Sequence, residues 1–169
     1  ETLVDWALEC LAGPLAHVPA PRVADLGTGS GAIALAIKHR CPRARVHASD
    51  ASPAALRVAR ANGHRLGLAI AWYEGAWWDA FETGLRFDLA LSNPPYVAAR
   101  DPHLAALAHE PLQALVPRDD RGDGLSDIER IVAGAPRRLA PGAGLLLEHG
   151  TEQAAAVCAA LRRAGLAGA

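Results

Sequence analysis

The spacing of apolar positions changes several times along this chain, and each change marks an element. Leu3, Val4, Ala7, Leu8 and Leu11 recur at helical intervals, which predicts an amphipathic helix over residues 1–12. Pro19 and Pro21 break the pattern. Arg22–Leu26 is a short strand-like run containing Asp25, and the turn Gly27-Thr28-Gly29-Ser30-Gly31 follows it. Ala32–His39 reads as helix and Arg45–Asp50 as a second strand. Ser52-Pro53 is a strong helix start, with Ser as N-cap and Pro at the first helical position, and that helix is predicted to run to about Leu66. Leu68–Tyr73 and Phe87–Ser92 read as strands three and four, the fourth leading into Asn93-Pro94-Pro95-Tyr96. A Pro- and Asp-rich loop extends to Gly124. Ser126-Asp127-Ile128-Glu129 reads as a capping box that opens a helix ending before Pro141-Gly142. Ala143–Glu148 is the fifth predicted strand, and Thr151 is predicted to cap a last helix running to about Ala164.

Strand and helix in alternation imply an α/β fold, a mostly parallel sheet with helices on both faces. In open parallel sheets ligands bind beyond the carboxyl ends of the strands. Three of these strands end in unusual residues: Asp25-Leu26-Gly27, Asp50 and Asn93-Pro94-Pro95-Tyr96. Their shared sheet edge is what gives the pattern functional content.

Composition narrows the picture. The 169 residues suit one domain, 1–169, and the apolar half of the chain is enough for a core. A formal charge of −1 argues against affinity for a polyanion, so no direct nucleic-acid partner is expected. Cys10, Cys41 and Cys158 are odd in number, far apart and lack a Cys-x-x-Cys pair, so neither a disulfide framework nor a structural metal site is indicated. No apolar run reaches the ~18–20 residues that span a bilayer, and no signal peptide is visible. A reducing cytoplasm, no membrane partner and a monomer are the expectations. The chain has no Met and starts within a helical stretch, as expected of an excised domain.

A Gly-rich turn between strand and helix lets the backbone pass close to a ligand. The spacing is Gly-x-Gly-x-Gly, unlike the Gly-x-Gly-x-x-Gly that seats a pyrophosphate. Asp50, ending the next strand, can accept from both hydroxyls of a ribose, each charge-assisted bond being worth roughly 1.5–3 kcal/mol. Nicotinamide cofactors and S-adenosylmethionine both carry such a ribose, and Asp50 alone does not choose between them. It would equally serve as an N-terminal charge for the following helix. Trp77 and Trp78 follow the third strand, where an aromatic ring can cover adenine. Two core tryptophans are the competing reading.

Asn93-Pro94-Pro95-Tyr96 is the strongest chemical signal. Consecutive prolines fix φ and remove two backbone donors. What remains is a pair of acceptors, the Asn93 side-chain oxygen and the Pro94 carbonyl, which suits an NH₂ group. Tyr96 offers a flat face for a planar amide or base. An amide nitrogen is a poor nucleophile because its lone pair is delocalised. Gripping both hydrogens positions it for in-line attack on a sulfonium methyl without a strong general base.

Asp25–Ala34, reading DLGTGSGAIA, with SNPPY at Ser92–Tyr96, resembles the class I methyltransferases of the HemK type. Asp101–Leu104 (DPHL), Glu110–Leu115 (EPLQAL) and Leu145–Gly150 (LLLEHG) are similar to the bacterial release-factor glutamine methyltransferases. The resemblance covers nearly the whole chain. It implies a Rossmann-like fold with S-adenosylmethionine as cofactor and S-adenosylhomocysteine as product. The implied reaction is methylation of the glutamine amide in the Gly-Gly-Gln motif of release factors one and two. Carried over, Asp25, Gly27, Thr28, Gly29, Ser30, Gly31, Asp50, Trp77 and Asn93 would bind the cofactor. Asn93, Pro94 and Tyr96 would be catalytic, and Asn93 to Tyr96, Pro95 included, would hold the glutamine.

The chain also departs from that family. Its preceding helical domain and last two strands are absent, which leaves about five strands. The loop from His103 to Glu110 is short, and Ala76 stands where an Asp is frequent. Four other readings stay open: a DNA adenine methyltransferase, a ribosomal-protein glutamine methyltransferase, a cofactor-binding scaffold without activity, and a Rossmann dehydrogenase.

Overall fold

A computed structural model describes residues 2–99, 112–117 and 121–166. The described residues form two units, one of 1–92 with 137–147 and one of 93–136 with 148–169.

The first unit holds a five-stranded sheet in the order β3-β2-β1-β4-β5. β1 is Arg22–Leu26, β2 Arg45–Asp50, β3 Ala71–Glu74, β4 Phe87–Ser92 and β5 Leu139–Leu147. Every pairing is parallel, as expected when each return passes through a crossover. All carboxyl ends therefore share one edge. Chain direction reverses its progress across the sheet between β1 and β4, the switch point at which such sheets open a crevice.

Three helices belong to this unit: α1 (Thr2–Ala12), α2 (Ala32–Arg40) and α3 (Pro53–Leu66). Leu3, Ala7 and Leu11 of α1 and Ala34 and Ile37 of α2 are buried with Val23, Val46, Ala48, Leu89 and Leu91 of the strands. The helical spacing of the first set and the alternation of the second explain why the elements form where the pattern puts them. Ser52 caps α3, its hydroxyl accepting from the Ala55 N–H at 3.3 Å. Trp78 and Phe81 follow β3 through a 3₁₀ turn (Trp77–Ala80) and pack on Phe87.

Three boundaries differ from the sequence expectation. β3 starts at Ala71, not Leu68, because the α3 terminus consumes Leu68: Gly67 is left-handed and the Leu68 N–H donates back to the Gly63 carbonyl. β5 starts at Leu139, not Ala143. Its register against β4 jumps from Phe87↔Leu139 to Leu89↔Gly144, and this irregularity accommodates Pro141, which has no N–H to give. The last helix starts later. Thr151–Gln153 is a 3₁₀ turn, and α6 runs Ala154–Arg163. Gly150 is the cap residue of the 3₁₀ turn, and Gln153, not Thr151, is the cap residue of α6.

The second unit contains a short helical turn α4 (Leu112–Leu115), most of α5 (Ser126–Arg138), and α6. Ile128, Ile131, Val132 and Ala135 form the buried stripe of α5. The predicted capping box is not made. The Glu129 N–H donates to the Leu125 carbonyl, and Glu129 pairs with Arg121. Ser126 is the first residue of the helix, buried, and its hydroxyl has no partner among the described residues. Asp123 supplies the cap, its carboxylate accepting from the Leu125 N–H at 3.0 Å.

Asp25 braces the turn after β1. Its Oδ2 accepts from the Thr28 hydroxyl at 2.5 Å and from the Ala34 N–H at 3.1 Å. Burial pushes its carboxyl up to about 6, against the opposing pull of those two hydrogen bonds, and the Asp50 charge adds to the rise. A raised carboxyl means that the folded chain holds a proton the unfolded chain has released. The resulting stabilisation is complete below about pH 4, is lost as pH rises towards about 6, and is constant beyond.

Two predictions follow from these buried groups. Ser126→Ala should leave thermal stability unchanged or raise it slightly, since no hydrogen bond is lost; a loss of the ~1 kcal/mol expected of an N-cap would restore the capping box. Asp25→Asn removes the ionisation cost, on the order of 3 kcal/mol. Its stability relative to the parent chain should therefore improve between pH 4 and pH 7 in paired melting curves. Parallel pH profiles would contradict the buried, raised carboxyl.

Candidate functional site

The turn Gly27–Gly31 is built by alternation. Gly27, Gly29 and Gly31 have φ of 72°, 58° and 84°, all left-handed, and the residues between them do not. Such a zigzag needs glycine at every second position, which is the spacing seen in the sequence. The Ser49 carbonyl of β2 accepts from both the Gly27 and Thr28 N–H groups at 2.9 Å, so the turn is pinned to the neighbouring strand. Thr28 and Gly31 are buried, Gly27 and Gly29 are half-buried, and Ser30 is exposed.

Asp50, half-buried at the end of β2, grips the same turn. Its Oδ2 accepts from the Gly29 N–H at 2.8 Å and its Oδ1 from the Ser52 N–H at 2.8 Å. The carboxylate is thus oriented from both sides, and each oxygen keeps a lone pair for a ligand. Asp25 retains a buried Oδ1 with no partner among the described residues. At the end of β4, the Ser92 hydroxyl donates to the Leu26 carbonyl at 2.7 Å, which locks the terminal residues of β4 and β1 together.

Trp77 is the only non-glycine residue with positive φ among the described residues, at 49°. A bulky side chain rarely holds that conformation, which costs of order 1–3 kcal/mol. Its carbonyl accepts from the Ser49 hydroxyl at 3.3 Å. Its ring lies against Gly27: a Cβ there would sit 2.8 Å from the ring carbon Cζ3. The two tryptophans separate cleanly. Trp77 is half-buried over the glycine turn, while Trp78 is 5% exposed and sits in the aromatic cluster.

In the second unit, Asn93 is exposed and makes no hydrogen bond to another described residue. Pro94 is buried, and Pro95 and Tyr96 are half-buried. Tyr96 is held at both ends. Its hydroxyl donates to Glu148 Oε1 at 3.2 Å, and its carbonyl accepts from Gln153 Nε2 at 2.9 Å. Glu148, Gln153 and Gly124 carry no periodic signal, and only the Leu145–Gly150 string pointed towards them. The stretches Asp101–Leu104 and His103–Glu110, and the start of Glu110–Leu115, lie outside the described residues. Among the described residues no cluster of His, Cys, Asp and Glu could hold a metal ion, and no helix is long and apolar enough to cross a membrane.

The chain is 49% identical over 168 residues to the release factor glutamine methyltransferase of Bordetella pertussis, covering 98% of this chain and 60% of that relative. It is 50% identical to the protein of the same name from Xylella fastidiosa, covering 98% and 58%. The chain thus spans about 60% of the length of these curated relatives. Among solved structures, a ribosomal protein L11 methylase from Lactobacillus delbrueckii superposes with a TM-score of 0.65 at 20% identity, over 96% of this chain and 66% of that one. A Pyrococcus furiosus methyltransferase gives 0.67 at 16% identity, over 98% and 73%. These two share the α/β Rossmann-like fold that the sequence predicts. The family model for the methyltransferase small domain matches residues 1–115, and the chain belongs to that family.

Proposed function

We propose that this chain transfers a methyl group from S-adenosylmethionine to the side-chain amide nitrogen of the glutamine in the Gly-Gly-Gln motif of peptide-chain release factors one and two. The observation that carries the reading is the segment Asn93–Tyr96. The Asn93 amide is exposed and uncommitted, while the aromatic residue three positions on is held by its hydroxyl and its carbonyl. The relatives named release factor glutamine methyltransferase support the substrate.

The residues at the ends of β1 and β2 fit the cofactor. Gly27 lets the Trp77 ring pack directly on the turn, where a Cβ would collide with it. Asp50 presents an oriented carboxylate suited to a vicinal diol, and Trp77 has a ring at the same turn for a flat purine. Thr28, Ser30 and Gly31 complete the turn, and Asp25 fixes its shape from below. When bound, the cofactor supplies an electrophilic methyl on a sulfonium.

The protein's own part is positional. The Asn93 oxygen and the Pro94 carbonyl accept from the two hydrogens of the substrate amide. This orients the nitrogen lone pair and stabilises the positive charge that grows as nitrogen attacks. Pro94 and Pro95 bring no N–H donor, so no competing hydrogen-bond donor faces the amide. The Tyr96 ring supports the amide plane. After transfer the nitrogen proton is acidic and leaves to water, so no strong base is needed.

The cofactor assignment predicts that S-adenosylhomocysteine raises the melting temperature by linkage. Asp50→Ala should weaken its binding by about 2 kcal/mol and Trp77→Ala by about 1–3 kcal/mol. Trp78→Ala should leave affinity in place and cost about 3 kcal/mol of fold stability. Calorimetry and melting curves on the three variants separate these effects, and unchanged affinity in Asp50→Ala removes that residue from the site.

The catalytic assignment predicts that Asn93→Ala keeps cofactor affinity while turnover drops by roughly 10²–10³. Mass spectrometry of a Gly-Gly-Gln release-factor domain, with duplex DNA as control, reads the product. Methylated adenine with no methylated glutamine would overturn the substrate while leaving the cofactor standing.

A further inference from the structure

Outside the residues already given roles, the densest polar arrangement lies in the second unit, where three separate stretches of chain meet on one side chain. Gln153 Nε2 donates to the Tyr96 carbonyl at 2.9 Å and to the Asp123 carbonyl at 2.7 Å. Gln153 Oε1 accepts from the Gly150 N–H at 2.8 Å. Carbonyls only accept and an N–H only donates, so the amide has one permitted orientation. Both of its hydrogens are committed. The stretch that holds Asp123 comes closer still through Gly124. With φ at 68° it presses so close to Tyr96 that a Cβ would fall 2.1 Å from the Tyr96 oxygen, so only glycine leaves that carbonyl free to meet Gln153. At the other end of the tyrosine, Glu148 Oε1 accepts a hydrogen bond from the hydroxyl at 3.2 Å.

These bonds have a direction. A structural staple would tie backbone to backbone, and three of the four do so through the Gln153 amide. The fourth holds the tip of a side chain that nothing in the backbone requires to be fixed. Restraining both the carbonyl and the phenol of one tyrosine fixes the position of its ring, and because a phenol O–H prefers the plane of its ring, a fixed acceptor at Glu148 also favours one ring plane. A ring plane matters only to something that lies flat on it.

We propose that Glu148 and Gln153 are positioning residues for the reaction, acting together through Tyr96. Gln153 sets the height of the Asn93–Tyr96 backbone, and Glu148 sets the tilt of the ring that supports the substrate amide. This inference rests on the proposed reading of Tyr96 as the amide-stacking residue. The positional claim itself can be tested without substrate.

The chain has only two tyrosines, Tyr73 and Tyr96. With 3-fluorotyrosine incorporated, it gives two fluorine resonances, which Tyr73→Phe assigns. Gln153→Glu keeps an oxygen for the Gly150 N–H and loses both donors. It should shift or broaden the Tyr96 resonance, and Glu148→Ala should do likewise. In turnover on the release-factor domain, both variants should lose kcat by about 10–10²-fold, the scale of a misplaced reacting group, with cofactor affinity unchanged. Glu148→Gln retains an acceptor for the phenol and should recover most of the activity lost in Glu148→Ala. In a Tyr96→Phe background, Glu148→Ala should add nothing, because the bond it removes is already gone. An unmoved Tyr96 resonance in Gln153→Glu overturns the proposal, as does full additivity of Glu148→Ala with Tyr96→Phe. If the parent chain methylates no release-factor domain while the resonance still responds, the substrate reading falls and the clamp on Tyr96 stands.

Discussion

A buried carboxyl group shapes the turn that leaves the first strand. Asp25 lies one residue before the end of β1, and its Oδ2 collects the Thr28 hydroxyl and the Ala34 N–H. Those two bonds set where the glycine turn begins and where α2 starts. Asp50 takes the Gly29 N–H from the other side, and the Ser49 carbonyl takes two more. The turn is therefore shaped before any ligand arrives, which reduces the ordering cost of binding. The arrangement is expensive for Asp25 itself, whose carboxyl is raised by burial to about 6. A group kept at that cost, with one oxygen unpartnered, is a constraint that the surrounding packing must carry.

The polar residues divide by what they leave free. Asp50 is held by two backbone N–H groups yet keeps lone pairs. Asn93 is held by nothing among the described residues. Tyr96 is restrained at both its hydroxyl and its carbonyl. Most polar atoms that shape the backbone are satisfied internally, Asp25 Oδ1 excepted, and those that suit a ligand are exposed or only partly used. That division is the expected mark of preorganisation: rigid where geometry is set, open where chemistry happens.

Much of this was legible in the chain. β1, β2 and β4 sit where alternation and their flanking turns put them, because buried strands of five or six residues leave little room for error. The left-handed alternation of Gly27, Gly29 and Gly31 is written in the spacing itself. The misplaced boundaries have one kind of cause. At Leu68, Ser126 and Thr151 a local backbone or side-chain bond competes with the element the sequence suggests: a helix-terminal wrap, the Leu125 carbonyl, and the Gly150 cap. The Pro141 irregularity depends on register against β4, which only tertiary pairing decides. The clamp on Tyr96 was invisible for a further reason. Its members lie up to 57 residues apart, and Gln153 has no periodicity, so the residue type alone carries no hint of its partners.

The sheet's uniform direction has one more consequence. Because every strand runs the same way, the opposite edge holds only turns such as Cys41–Ala44 and Gly67–Ile70, which join helix to strand. The residues suited to the cofactor come from the short connections after β1, β2 and β3, whereas those suited to an acceptor come from the single long connection 93–125 and the stretch after β5. The residues proposed for the cofactor and those proposed for the acceptor are therefore encoded in separate parts of the chain. Editing one connection can change the second set while the first is inherited intact. A fold organised in this way lends itself to diversification by acceptor.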